Sequence, residues 1–263
     1  MEWRKFIKGK NKQRSDLIPG FHAVKEALTQ RQALLGQIWV DEGKHSPRVQ
    51  ELISMAEGKA IPVNFKKSSD LDHLLSNITH QGIIAFAKAF QYIDLEQLIH
   101  DSLQIPGHAL LIAADHITDE GNLGALIRTA VFFGAHGLII PKDRSAQVTE
   151  QVRKRSSGAY LQLPITRVVN LGRALDTLNK KGFWIIGAAG EGTGTVYQCD
   201  WKRDVVLVLG REDKGLTDLV RKYCHQIVRI PGAGTINSLN VSVAGGVILS
   251  EIVRQRLHCH VNI

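Results

Sequence analysis

Residues 205–215 read VVLVLGREDKG: five valines and leucines without a charge, then a glycine, then a charged tetrad closed by a second glycine. A continuous apolar run bounded by a turn residue is the pattern of a strand buried on both faces, since a strand with one wet face would alternate. Similar runs recur at ALLIAAD (109–115), GLIIP (137–141), ITRVV (165–169), FWIIGAA (183–189) and QIVRI (226–230). Between them NLGALIRTAVFFG (122–134), NLGRALDTLNKKG (170–182) and GLTDLVRKYC (215–224) carry apolar residues at helical spacing. Strands alternating with helices predict an α/β domain over 108–263 built on a mostly parallel sheet, covered on both faces. Ligands of such sheets bind at the carboxyl ends of the strands, so the chemistry is sought there.

Upstream the same alternation continues on a smaller scale. GFHAVKEAL (20–28) places Phe21, Val24 and Leu28 on one helical face, QIWV (37–40) reads as a strand, and SPRVQELISMAEG (46–58) opens a helix with Ser46 as N-cap and Pro47 at N1. IPVNF and IIAFAKA supply two further strands, so residues 16–90 predict a small α/β domain of the βαβ kind. The segment 91–107, with one short amphipathic helix and then Pro106-Gly107, reads as the linker.

The 263 residues are 44% hydrophobic, which excludes a disordered chain and allows a large core. Three cysteines without CxxC spacing exclude a disulfide scaffold and fit a reducing cytoplasm. The start MEWRKFIKGKNKQR lacks the apolar stretch of a signal peptide, and the uncharged run Ile230 to Ser250 is broken by Pro231 and glycines, so no membrane span is expected. The formal charge is +8, with six cations and one acid in the first fourteen residues, so residues 1–15 read as a basic flexible arm and a polyanionic partner is modestly favoured.

Three strand-end loops are unusual. In the first, Asp115 to Gly124, Asn122 is placed to cap a helix that carries Arg128, a combination suited to a phosphate. The second is Gly210 to Gly215. The third, Pro231 to Asn240, is glycine-rich and leads into the uncharged VSVAGGVILS, which suits an adenosine-like ligand needing apolar walls and backbone partners. Small residues Ala244, Gly245 and Gly246 are explained equally well by helix packing. GAAGEGTG (187–194) superficially resembles a dinucleotide fingerprint, but the TVYQCDW that follows has no helical spacing, so a Rossmann site is rejected. His258, Cys259 and His260 stand close together without further partners, and no metal site is expected.

Taken together, DEGNLGALIRTA (119–130), LVLGREDKGL (207–216) and RIPGAGTINSLNVSVAGG (229–246) resemble, in order and spacing, the three motifs of the SpoU/TrmH family of RNA 2′-O-methyltransferases within the SPOUT class. GFHAVKEAL, HQGIIAFA (80–87) and PKDRSA (141–146) look like the subgroup that methylates a guanosine of 23S ribosomal RNA. The sequence departs from the family pattern at Glu120, Asp213 and Gly232, where proline, glycine and methionine are usual.

The resemblance implies a methyltransferase domain with a deep trefoil knot, preceded by a small RNA-substrate-binding domain. It implies S-adenosylmethionine as cofactor, 23S rRNA or an assembling large ribosomal subunit as partner, and a homodimer. By position, Asn122, Arg128, Glu212, Ser238 and Asn240 match the family's catalytic residues. Gly210, Ile230 and Leu239, with Ala188, Ala189 and Gly190 adjoining, match the cofactor site. Two alternatives stand beside this reading: a non-catalytic RNA-binding or ribosome-assembly factor on the same fold, and a 2′-O-methyltransferase of another rRNA site or of tRNA.

Overall fold

A computed structural model of the chain describes residues 17–30, 35–75, 79–87, 90–211, 214–235 and 238–257. The expected basic arm over 1–15, Glu212, Asp213 and the His258-Cys259-His260 cluster lie outside the described residues. The chain divides into two compact units, Met1–Phe90 and Gln91–Ile263.

The first unit runs β1 (Leu17–Pro19), α1 (Phe21–Gln30), β2 (Leu35–Asp41), α2 (Pro47–Glu57), β3 (Val63–Lys66), α3 (Ser68–Leu74) and β4 (Ile83–Ala87). Its four-stranded sheet has the order β1-β4-β2-β3. The β2–β3 pair is parallel and joined through α2, as the βαβ reading expects, while β4 is antiparallel to both of its neighbours. Val24 and Leu28 of α1 and Leu52 and Ile53 of α2 close over Ile38, Val40, Ile83 and Ala85. Pro47 stands at N1 of α2, and Ser46 holds the extended N-cap conformation without donating or accepting a side-chain cap bond.

The second unit runs α4 (Leu95–Leu103), β5 (Leu110–Ala114), α5 (Glu120–Phe132), β6 (Gly137–Pro141), α6 (Glu150–Arg155), a 3₁₀ turn (Ala159–Leu161), β7 (Ile165–Val168), α7 (Leu171–Lys180), β8 (Trp184–Ala188), β9 (Gly194–Thr195), β10 (Val205–Leu209), α8 (Asp218–Arg221), β11 (Gln226–Arg229) and α9 (Val241–Leu257). Seven strands in the order β7-β6-β5-β10-β8-β11-β9 form a wholly parallel sheet. β5, β6 and β10 are buried at every residue, the burial their unbroken apolar runs demand.

The segment 91–107 is packed rather than free. Leu98 and Ile99 of α4 enter the core of the second unit beside Leu111, Ile139 and Leu175, and Ile93 bridges to Thr166 next to the edge strand β7. The amphipathic face that the sequence shows here has a sheet to cover, and the boundary between units falls at Phe90. After GAAGEGTG the chain forms the two-residue β9 and reaches β10 with no intervening helix, so no helix N-terminus faces a pyrophosphate.

Candidate active site

Register brings the ends of four strands into one row. Leu209 of β10 pairs with Ala114 of β5 on one side and with Ala188 of β8 on the other, and Ala188 pairs with Val228 of β11. Asp115, Gly210, the Ala189-Gly190 pair and Ile230 therefore leave the sheet side by side. From β5 the chain turns to β6 and β7, whereas β10, β8 and β11 lie on its other flank, so the row straddles a topological switch.

The second loop is closed tightly over this row. Arg211 N donates to Gly215 O at 3.0 Å and Gly215 N returns to Arg211 O at 2.9 Å. A Cβ at Gly210 would lie 2.3 Å from the Gly215 carbonyl carbon, so no other residue fits. The fully buried carboxylate of Asp115 accepts from Thr217 N at 2.6 Å and lies 2.7 Å from His116 Nδ1, tying the first loop to the end of the second. Arg221 donates to Leu216 O at 3.1 Å and also pairs with Glu191. Glu191 is held below the usual carboxylate range, first by its own backbone N–H and then by the Arg221 guanidinium.

The first and third loops meet through side chains. Asn240 Nδ2 donates to Asn122 Oδ1 at 2.9 Å. Asn240 Oδ1 accepts from Ser242 N at 3.0 Å and from Ser242 Oγ at 2.6 Å, so one amide caps α9 and holds α5. The helices come close because Gly245 faces Leu126 and Leu209, where a Cβ would stand 2.8 Å and 3.1 Å from their methyl groups. Packing thus accounts for the small residue at this position.

One detail differs from the sequence reading. The N-cap of α5 is Asp119, whose carboxylate accepts from Asn122 N at 2.7 Å; Asn122 is inside the helix, with its side chain released for Asn240. Glu120 stands at N1, a position that accepts proline and also favours an acid beside the positive end of the helix.

Arg128 is exposed on α5, and its guanidinium donates to Ser157 Oγ at 3.3 Å. Ser157 has a φ of 51°, in the left-handed region, directly after α6. Ser238 and Leu239 are exposed before α9, and Ala188 and Ala189 are half-buried. The structure therefore brings together Asn122 with Asn240, and places Ala188, Ala189, Gly190, Gly210 and Ile230 along one edge. Asp115, Ser157 and the Arg221–Glu191 pair were missed, since each acts through a partner far away in sequence.

Burial pushes the Cys199 thiol up to about 11, and burial with nearby Asp115 does the same at Cys224, so both favour the thiol over the thiolate. Among the described residues no group of three or more His, Cys, Asp or Glu side chains is placed to hold a metal ion, and no helix is long and apolar enough to cross a membrane.

Residues 109–250 match the SpoU rRNA Methylase family model, and residues 17–93 match the model for RNA 2′-O ribose methyltransferase substrate binding. The chain belongs to the SpoU rRNA methylase family. This SpoU chain is 43% identical over 240 residues to the 23S rRNA (guanosine-2′-O-)-methyltransferase RlmB of Pseudomonas aeruginosa, covering 90% of the chain and 95% of that protein. It is 38% identical over 245 residues to RlmB of Escherichia coli, covering 92% and 99%. Among solved structures it is similar to the SpoU methyltransferase AviRb of Streptomyces viridochromogenes in complex with AdoMet, with a TM-score of 0.70 and 25% identity over 97% of both chains. The SpoU chain is thus an RNA methyltransferase by family, with a substrate-binding domain preceding the methylase domain.

Proposed function

We propose that this chain transfers a methyl group from S-adenosylmethionine to the 2′-hydroxyl of a guanosine in 23S ribosomal RNA, in the cytoplasm and as a homodimer. The observation that carries the reading is the hydrogen bond from Asn240 to Asn122 beside the row of Gly210, Ala188 and Ile230, because it joins the first and third family motifs at the strand ends where the second begins.

The edge fits an adenosine-like ligand. Gly210 offers backbone with no side chain in the way, Ala188 and Ala189 are small apolar walls, and Leu239 is an apolar side chain left 49% exposed. Gly210, Ile230 and Leu239 would hold the cofactor, with Ala188, Ala189 and Gly190 adjoining. When bound, S-adenosylmethionine supplies a sulfonium-activated methyl group.

The side chains then have two tasks, to align the ribose and to handle the hydroxyl proton. A guanidinium is a permanent donor, so Arg128 acts on a phosphate or on the oxyanion that develops as the hydroxyl loses its proton. Its bond to Ser157 leaves other N–H groups of the fork for that purpose. Asn122, Asn240 and Ser238 orient the ribose and the methionine part of the cofactor, and Glu212 belongs to the same set by its motif. The reading includes the family's trefoil knot around the third loop. Phe132 and Val243, 80% and 52% exposed on the packed pair α5 and α9, support a dimer through these helices.

Arg128→Ala tests the assignment. Calorimetric affinity for S-adenosylmethionine should stay within about twofold while transfer of labelled methyl to 23S rRNA falls by about a hundredfold or more. Retained transfer would remove Arg128 from the chemistry.

A further inference from the structure

The four-stranded sheet of the first unit presents two faces of different chemistry. Alternation along β2 turns Ile38 and Val40 into the core beneath α1 and α2, and sends Gln37 and Trp39 to the opposite side. Register sets Phe86 of β4 against Gln37, sets Asn64 of β3 and the fully buried Ile84 of β4 on either side of Trp39, and puts Lys66 on the same face two residues beyond Asn64, so the open part of the face is the strip of Gln37, Trp39, Asn64, Lys66 and Phe86. All five side chains remain partly exposed. The Trp39 and Phe86 rings are 4.8 Å apart and tilted by 53°, and Lys66 Nζ lies over the indole, 5.3 Å from its centroid.

The two amides are oriented by a donor that has no choice. An indole N–H can only donate, and Trp39 Nε1 donates to Gln37 Oε1 at 3.3 Å, which fixes the direction of that amide. Asn64 Nδ2 donates to the same oxygen at 3.0 Å. Gln37 Nε2 and Asn64 Oδ1 are left over, a donor and an acceptor, and neither has a hydrogen-bond partner among the described residues.

We propose that this face holds an unpaired nucleotide of the RNA substrate, with the base stacked on Trp39, its edge bonded by Gln37 Nε2 and Asn64 Oδ1, and its phosphate met by Lys66. Every nucleobase carries a donor beside an acceptor on its Watson–Crick edge, which the amide pair complements, and that edge is available only where the base is unpaired. The flat aromatic surface takes any base, and the lysine, on a flexible stem, moves off the indole to a phosphate as the base arrives. A peptide strand would need an unpaired backbone edge, which the face of a sheet does not offer. The inference rests on the RNA-methyltransferase reading and adds to it how the substrate-binding domain takes hold of RNA.

The test uses the full chain and a fluorescein-labelled single-stranded RNA of about ten nucleotides, with the same sequence closed into a hairpin duplex as control. By anisotropy, Trp39→Leu should weaken single-strand binding by about tenfold or more, Trp39→Phe should retain most of it, and duplex binding should be unchanged. Gln37→Ala with Asn64→Ala keeps the Trp39 side chain but removes its hydrogen-bond partner and both base-edge groups, and should weaken binding of A, C and U oligomers alike by about tenfold, which keeps the test alive if Trp39→Leu does not fold. With 23S rRNA as substrate, Trp39→Leu should raise the RNA KM by about tenfold and leave kcat within about twofold. A wild-type chain that methylates rRNA while both variants bind RNA as it does overturns the inference and leaves the reaction standing. A wild-type chain that transfers no methyl, with single-strand binding still lost in Trp39→Leu, overturns the reaction and supports the face.

Discussion

Asn240 and Asn122 stand 118 residues apart in sequence and share a 2.9 Å hydrogen bond, Nδ2 to Oδ1, that fastens the start of α9 to the first turn of α5. The same Asn240 caps α9 with its oxygen. Asn240→Asp separates the two duties, keeping the capping oxygen and removing the donor. Its melting temperature should stay close to wild type while methyl transfer drops by about tenfold or more. Asn240→Ala loses both and should cost about 1 kcal/mol of stability in addition. Equal transfer by Asn240→Asp and wild type would show that the bridge does not serve the chemistry.

Gly210→Ala is the sharpest test of the cofactor edge. The added methyl would meet the Gly215 backbone at 2.3 Å, and backbone cannot yield as a side-chain tip does. Opening the loop should cost about 2 kcal/mol of stability. Calorimetric affinity for S-adenosylmethionine should fall by about tenfold or more, an amount that a purely structural turn would not produce. Unchanged affinity would move the cofactor away from this loop.

The pH dependence of stability carries the mark of His136. Its Nδ1 accepts the backbone N–H of Leu110 at 2.9 Å, so that nitrogen is unprotonated in the fold. Burial, and then the Arg256 guanidinium, hold its pKa below the ordinary histidine value of 6.5. The folded chain therefore binds this proton less readily than the unfolded chain. The contribution is complete above about pH 6.5 and is lost as pH falls below it toward the depressed value. The wild-type melting temperature should drop between about pH 7 and about pH 5.5 more steeply than that of His136→Gln, whose amide oxygen accepts without titrating. Parallel curves would exclude His136 as the source.

Much of this architecture was written locally. The unbroken runs VVLVL and GLIIP became fully buried parallel strands because no polar side chain in them needed a wet face, and the missing helix after GAAGEGTG could be read from TVYQCDW. The N-cap of α5 was misplaced because Asp119 and Asn122 are equally good capping residues; the structure selects Asp119 and so frees Asn122. The stretch 91–107 read as a linker because an amphipathic helix does not announce which sheet it covers. Contacts that close over long separations, Asp115 with Thr217 and Arg128 with Ser157, leave no periodic trace at all. The Trp39 face was invisible for a related reason: its residues come from three strands, and their shared side is set by register.

The central claim is tested most directly by incubating the full chain with S-adenosylmethionine and 23S rRNA lacking its own ribose methylation, then mapping ribose 2′-O-methyl groups along the RNA. The account predicts a single new 2′-O-methylguanosine that depends on Arg128. Methyl groups on bases, methylation of tRNA alone, or none on 23S rRNA in either free or ribosome-assembling form would contradict it.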